Sequence, residues 1–567
     1  MGRFWNHYFS NFDADLTNQI QKLALAPMHH YLLSLLIFTP LLAALVALVI
    51  PAQSRKAFFI LTLIAGFIQI VFLIFLITGF QHHAGLQFIE QYNWITLELS
   101  SWGVLKAEYF IGVDGLNLPL VILTVPVMLI AAVASRSIEK NVKGYFILLL
   151  ILNATIIGSF VALDFLLFYL FFEFMLLPMF FLIGIWGGPR REYASIKFFL
   201  YTLLGSIFIL IAMIALYISV QTSASSEEIT IHSFSIINMS DPLNFIQGSI
   251  LDPKGSWIIG PYNARLWVFL LLFIGFGIKL PMVPLHTWLP DAHVEAPTPV
   301  SVILAALLLK IGGYGLIRIA FPILPDSALY FSSFIGLMGV IAIVYGALNA
   351  MASKDIKKLI AYSSVSHMGF VLLGLASGTL EGVTGAIYQM FSHGIISALL
   401  FLIAGVLYDR THDRTIAHYS GLASKMPVFF SVVLIGFFAS LGLPGFSGFI
   451  AEIMVFLGAF KSNSTNGLLH ESFAIIATSG LVLGAAYYLW TIQRMFFGPL
   501  SLKNGIIETQ LYDLTLREYV VLIPLCIAAL FFGIFPQILI DIINPFAKDF
   551  VELLIKQGTH ISSTLNP

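Results

Sequence analysis

From about residue 31 to about residue 540, apolar runs of some twenty residues alternate with short polar connections. A bilayer core about 30 Å thick is crossed by roughly twenty apolar residues of α-helix, so each run predicts a membrane span. The spans number about fourteen. They fall near 31–50, 57–80, 114–135, 144–163, 165–187, 194–220, 265–289, 299–322, 328–350, 357–377, 383–407, 428–460, 472–498 and 519–540. The predicted fold is an all-α polytopic membrane protein.

Two of these runs are interrupted. The seventh breaks at Lys279-Leu280-Pro281-Met282-Val283-Pro284 and the twelfth at Gly442-Leu443-Pro444-Gly445. Proline removes a backbone donor and clashes with the preceding turn, and such breaks persist at membrane depth only when buried in protein or lining a wet cavity. The breaks occupy corresponding places in two five-helix blocks, 143–323 (spans four to eight) and 324–499 (spans nine to thirteen). An odd number of helices per block inverts the second relative to the first, and paired broken helices in inverted repeats point to a transport pathway. Around the blocks lie spans one to three (31–142), the last span with its tail (500–567), and a mixed, polar stretch (1–30) that lacks the apolar run and cleavage site of a signal peptide.

Charge orients the array. Connections after odd-numbered spans hold 17 Lys and Arg, from Arg55 to Arg517, whereas the other side and both tails hold 9. The positive-inside rule then makes the odd loops cytoplasmic and puts both termini outside, in the periplasm if the membrane is a bacterial plasma membrane. Only 10% of the 567 residues are charged and 59% are hydrophobic, far from the roughly 25% charge of a soluble domain. The net charge of -1 offers no basic surface for nucleic acid. The lone Cys526 excludes an internal disulfide or a cysteine-ligated cluster within the chain, and no dinucleotide or P-loop motif occurs.

Against this background Glu173, Lys279, Lys310 and Glu452 stand inside apolar runs. A charge at bilayer depth costs roughly 2.5–3.5 kcal/mol on insertion scales. Snorkelling relieves that cost only within a turn or two of a helix end, and Lys279 and Lys310 are near mid-span. Glu173 is the natural partner for one lysine, either as a static ion pair or as a switch that sets whether the lysine keeps its proton. His367 and His393, among Ser363, Ser364, Ser366, Ser392 and Ser397, suit a relay, although membrane histidines also serve as packing residues. Tyr314, one turn beyond Lys310, can offer a hydroxyl. His286, Asp291, His293 and Glu295 cluster without the tight spacing of a metal site. Asp164 reads as a solvated or cap-like carboxylate, and His412 and His418 as solvated loop residues.

The run GFGIKLPMVPLHTWLPDAHVEAPTPVSVILAALLLKIGGYGLIR strongly resembles the antiporter-like subunits of respiratory complex I, a family shared with Mrp-type sodium/proton antiporters and membrane hydrogenases. FFEFMLLPMFFLIGIWGGPRREYASIKFFLYTLLGS, AYSSVSHMGF and GLPGFSGFIAEIMVFLGAF resemble it too, so the likeness spans about 110–500. The resemblance implies the fourteen-helix fold with two inverted repeats. It assigns Glu173 the fifth-helix glutamate, Lys279 its seventh-helix partner, Lys310 the central eighth-helix lysine, and His367 and His393 the relay histidines. Glu452 matches the twelfth-helix acid of one branch, whereas subunits L and N and the Mrp proteins typically carry lysine there. It further implies a proton-translocating subunit of NADH:quinone oxidoreductase, with an antiporter or hydrogenase subunit as the alternative. NAD, FMN, iron–sulfur clusters and quinone are then expected on partner subunits, none in this chain, with L-like and N-like subunits on either side. The polar stretch 1–30 and the long loop 221–264 exceed the compact family pattern.

Overall fold

The computed structural model describes residues 31–82, 85–98, 104–222, 231–255, 257–260 and 262–565, with side chains as far as 556; the expected polar extension lies outside them. In chain order the main elements are α1 (Leu32–Val49), α2 (Arg55–Gly79), β1 (Gln87–Glu98), β2 (Val104–Val113), α3 (Asn117–Ala134), α4 (Val142–Val161), α5 (Phe165–Trp186), α6 (Arg191–Ser219) and β3 (Ile231–Ser233). There follow α7 (Ala264–Lys279), α8 (Trp288–Glu295), α9 (Thr298–Ile323), α10 (Ser332–Ala352), α11 (Ile356–Ala376), α12 (Leu380–Thr411), α13 (Pro427–Ser440), α14 (Ser447–Thr465), α15 (Ser472–Phe496), α16 (Leu516–Ile534) and α17 (Gln537–Leu565).

Among the described residues, 12 helices are long and apolar enough to cross a membrane. The two expected spans missing from that set are the two expected to be broken. Helix α7 stops at Lys279 and the chain resumes in α8; α13 stops at Ser440 and resumes in α14. Each break satisfies its freed backbone groups inside the protein. The Trp288 indole donates to the Ile278 carbonyl at 2.9 Å, and the Met282 amide donates to Gly277 at 2.8 Å. At the second break Leu443 donates to Phe438, and Gly442 and Gly445 take φ values of 75° and 99° that a side chain rarely adopts.

The centre of the bundle is α9 and α12, wholly buried, with α11 nearly so; α2, α6 and α15 lie at the periphery with one side exposed. Lipid tails are as apolar as leucine, so helices associate through close packing rather than by escaping water, and small residues mark the crossings. A Cβ on Gly369 would stand 2.6 Å from the Gly339 carbonyl, bringing α10 and α11 together. Likewise a Cβ on Gly275 would stand 2.7 Å from the Gly205 carbonyl, where α6 meets α7.

Two outer elements go beyond the predicted spans. Residues 87–113 form an antiparallel hairpin, β1 with β2, to which β3 adds in parallel. The buried Glu90 carboxylate on β1 accepts from the Leu33 and Ser34 amides at 3.0 and 3.1 Å, satisfying orphan donors at the start of α1. After α16 the chain turns into the amphipathic α17, which lies against the Pro325–Tyr330 helix, α12 and α9. The long loop before α7 is tied down by the buried Arg265, whose guanidinium is bidentate to Asp326 at 2.9 and 2.6 Å and donates to the Leu251 carbonyl at 3.0 Å.

Candidate functional site

The three buried helices carry Lys310, His367 and His393. Lys310 is completely buried on α9. Its flanks, Leu304–Leu308 and Leu316–Ala320, are π-helical, a geometry concentrated at functional positions. The ammonium donates to the Ala305 carbonyl inside the first π stretch and to His393 Nδ1 on α12 at 2.8 Å. An ammonium has no acceptor capacity, so a charged Lys310 requires the His393 proton on Nε2.

From His393 the row continues to α11 and across the second break. The His393 and His367 rings lie 5.4 Å apart. His367 Nε2 is 3.2 Å from the Ser440 hydroxyl, which reaches Tyr488 at 2.7 Å, and the Tyr488 hydroxyl donates to Ser363 at 3.0 Å. At His367 Nδ1 two groups converge, the Gln389 amide nitrogen at 3.2 Å and Glu452 Oε1 at 3.4 Å. Glu452 is buried, and its second oxygen has no partner among the described residues. Residue 442 has to be glycine for this, since a Cβ there would collide with Glu452 Oε2.

The N-terminal half is arranged differently. Lys279 is buried at the end of α7, and its ammonium has no hydrogen-bond partner among the described residues; it lies 4.1 Å from the centre of the Phe172 ring. A ring face offers a desolvated cation partial compensation. Glu173, the next residue on α5, is within electrostatic reach of Lys279, but no hydrogen bond joins the two. Its carboxylate instead accepts from the Ser206 hydroxyl, which is 3.0 Å from Tyr169. The expected Glu173–Lys279 contact is therefore open in this state. Gly312 brings the two lysine-bearing helices together, because a Cβ there would meet the Leu280 amide at 2.6 Å.

Asp164 is buried and caps α5 through Leu167 at 3.0 Å, so it is a cap and not solvated. Asp291 pairs with Lys197 at 2.7 Å and Glu295 accepts from the Arg190 amide at 2.9 Å, which draws both carboxylates away from His286 and His293. His293 is stacked on Phe401 at 4.4 Å. His418 pairs with Asp413 at 2.7 Å rather than standing free in the loop. Ser440, Gln389 and Tyr488 join the site without any signal in the sequence. Tyr488 reaches Ser363 over 125 positions of chain, and no local pattern announces such a contact.

Apolar helices long enough to cross a bilayer, packed around a buried row of lysine, histidine and glutamate, define an ion-translocating membrane protein, and similarity to known proteins agrees. Residues 162–478 match the family described as NADH:quinone oxidoreductase/Mrp antiporter, TM. The chain is 42% identical over 530 residues to NADH-quinone oxidoreductase subunit M of Rhodobacter capsulatus, covering 92% of this chain and 96% of the relative. It is 38% identical over 522 residues to NADH-ubiquinone oxidoreductase chain 4 of Chondrus crispus, covering 91% and 96%. Among solved structures it is similar to a chain of respiratory complex I from Thermus thermophilus with bound NADH, with a TM-score of 0.76 and 28% identity over 92% of this chain and 99% of that one. The chain belongs to the NADH:quinone oxidoreductase/Mrp antiporter family.

Proposed function

We propose that this chain is the M-type, proton-translocating membrane subunit of an NADH:quinone oxidoreductase, and that protons pass through Lys310, His393, His367 and Glu452. The observation that carries the reading is the buried Lys310–His393 contact at 2.8 Å, continued by His367 to Glu452 across the second helix break. Each group can accept or release a proton, and each is buried within the bundle, away from lipid. A proton leaving Lys310 for His393 Nδ1 frees the Nε2 proton on the opposite side of the ring, so one imidazole passes charge onward without moving.

His367 then has two alternative states. Neutral, it accepts the Gln389 amide at Nδ1 and donates from Nε2 to Ser440. Protonated, it donates from Nδ1 to Glu452. Glutamate at 452 supports the M-type assignment, because the family resemblance implies an acid there in that branch and typically lysine in the L, N and Mrp branches. Glu173 and Lys279 form the input switch: closing their open contact stabilises a charged Lys279, whose field then acts on Lys310. Electron transfer in partner subunits drives that closure. NAD, FMN, iron–sulfur clusters and quinone belong to those partners, with L-like and N-like subunits flanking this one. The two broken helices complete a fourteen-span count with inverted repeats. The basic odd-numbered loops face the cytoplasm of a bacterial cell, and both termini face outward.

Lys279→Ala or Glu173→Ala is expected to abolish proton pumping while the complex still assembles. The check is the proton-to-electron ratio of the reconstituted complex, measured with a pH-sensitive dye during NADH oxidation. A wild-type ratio in either assembled variant would exclude the proposed switch. Sodium-dependent antiport by membranes without NADH oxidase activity would instead support an antiporter subunit.

A further inference from the structure

A second polar column leaves Lys310 in the opposite direction from His393. Lys310, Tyr314 and Arg318 follow at four-residue intervals along α9, which places them on one side of the helix between its middle and its outer end. The buried Tyr314 hydroxyl faces Arg318 and Asn117 but closes no hydrogen bond among the described residues. Arg318 donates from Nη2 to Asp114 Oδ1 at 2.6 Å, while its Nε has no partner among the described residues. The guanidinium also packs over the Tyr314 and Phe546 rings, 5.6 and 5.2 Å from their centres.

Beyond this ion pair lies a cavity of about 260 Å³ at the outer ends of α3 and α9, with Asp114, Arg318, His82 and Asp549 in its wall. That is room for several waters, each of which takes about 30 Å³ in the liquid. Helix α17 roofs it: the Ile542 carbonyl sits so close to Gly115, beside Asp114, that a Cβ there would collide with it. A hydrated cavity thus comes within about two helical turns of the central lysine, on the side to which protons are delivered. Left open, such a column would let them return.

We propose that Arg318, fixed by Asp114, is the barrier to proton back-leak between the outer cavity and Lys310. A guanidinium does not give up its proton at any physiological pH, so it stands in the column as a fixed positive charge that repels an incoming proton. Fixed arginines bar protons and cations in other membrane pores by the same electrostatics. With its guanidinium over the Tyr314 ring, Arg318 places its positive charge in the column beside the residue one turn from Lys310. Arg318 is a positioning residue, not a proton carrier. The inference rests on the reading of Lys310 as the central proton site and of α17 as an outer element.

The test uses the intact complex in proteoliposomes. A pH-sensitive dye follows decay of a proton gradient imposed by an acid–base step without NADH, so that variants unable to pump are read in the same way, and protonophore stimulation of NADH oxidation reports coupling. Arg318→Gln is expected to speed the decay roughly tenfold, equivalent to about 1.4 kcal/mol off the barrier, and to lose most protonophore stimulation. Arg318→Lys, its ammonium kept charged by the neighbouring Asp114, retains the positive charge and holds the gradient to within about twofold of wild type. The neutral swap Asp114→Asn with Arg318→Gln retains hydrogen bonding without charge and leaks like Arg318→Gln; it is the variant to read if Arg318→Gln does not assemble. Adding Lys310→Met to either leaky variant removes the leak. Wild-type gradient decay in an assembled Arg318→Gln or neutral-swap complex overturns the proposal, as does an Arg318→Lys complex that leaks as fast as Arg318→Gln. A leak that persists with Lys310→Met also overturns it. Pumping by Lys310→Met alone reports separately on the role of Lys310.

Discussion

At the scale of single residues, Glu452 depends on a position that has no side chain. Gly442 has a φ of 75°, and a Cβ there would collide with Glu452 Oε2. Gly445, further along the same break, has a φ of 99° but open space around it. At both positions an alanine meets the strain of a left-handed backbone, roughly 1–2 kcal/mol, but only the first displaces the carboxylate. Gly442→Ala is therefore expected to reduce pumping per assembled complex, while Gly445→Ala lowers the amount of complex and leaves pumping per complex unchanged. Quantifying assembled complex on native gels beside dye-monitored pumping separates the two, and equal effects on pumping would refute the role given to Gly442. The residue types at the site were legible in the sequence, because an ionisable group in an apolar run is conspicuous. Their contacts were not: Lys310 and His393 are 83 positions apart, and His367 and Ser440 are 73.

At the scale of elements, hydrophobic runs marked out the spans because the bilayer imposes one length on every helix that crosses it. The breaks were legible too, since proline and glycine leave the same mark in sequence as in backbone. What escaped was the outer structure. The β1–β2 hairpin is too short to register among twenty-residue apolar runs, and α17 merges its apolar face with the end of α16. The loop before α7 had no readable pattern either, yet its Leu251 carbonyl is held by Arg265, which is itself fixed by the buried Asp326. Removing one member of a buried ion pair strands the other, at a cost of about 3–5 kcal/mol. Arg265→Met is thus expected to lower the thermal midpoint of the complex and its yield, without changing pumping per surviving complex. Unchanged thermal stability would show that the pair does not anchor the loop.

At the scale of the whole molecule, the sequence orders Glu173, Lys279, Lys310 and Glu452 as a row of acid, lysine, lysine and acid across the two blocks. The structure divides it. Lys310 is hydrogen-bonded to His393 and His367 is paired with Glu452, with the two imidazole rings 5.4 Å apart between them, whereas Glu173 and Lys279 stand apart, one held by Ser206 and the other against Phe172. On the proposed reading one half is the relay and the other the switch, an asymmetry that the symmetric pattern of broken helices did not reveal. In the proposed pathway Lys310 joins the two halves, with Arg318 as the proposed barrier on the side away from His393. The most direct measurement of the central claim is the proton-to-electron ratio of the reconstituted complex carrying Lys310→Met, which keeps an unbranched side chain and removes its charge and proton. The account predicts an assembled complex that oxidises NADH with pumping lost. An assembled Lys310→Met complex with the wild-type ratio would contradict it.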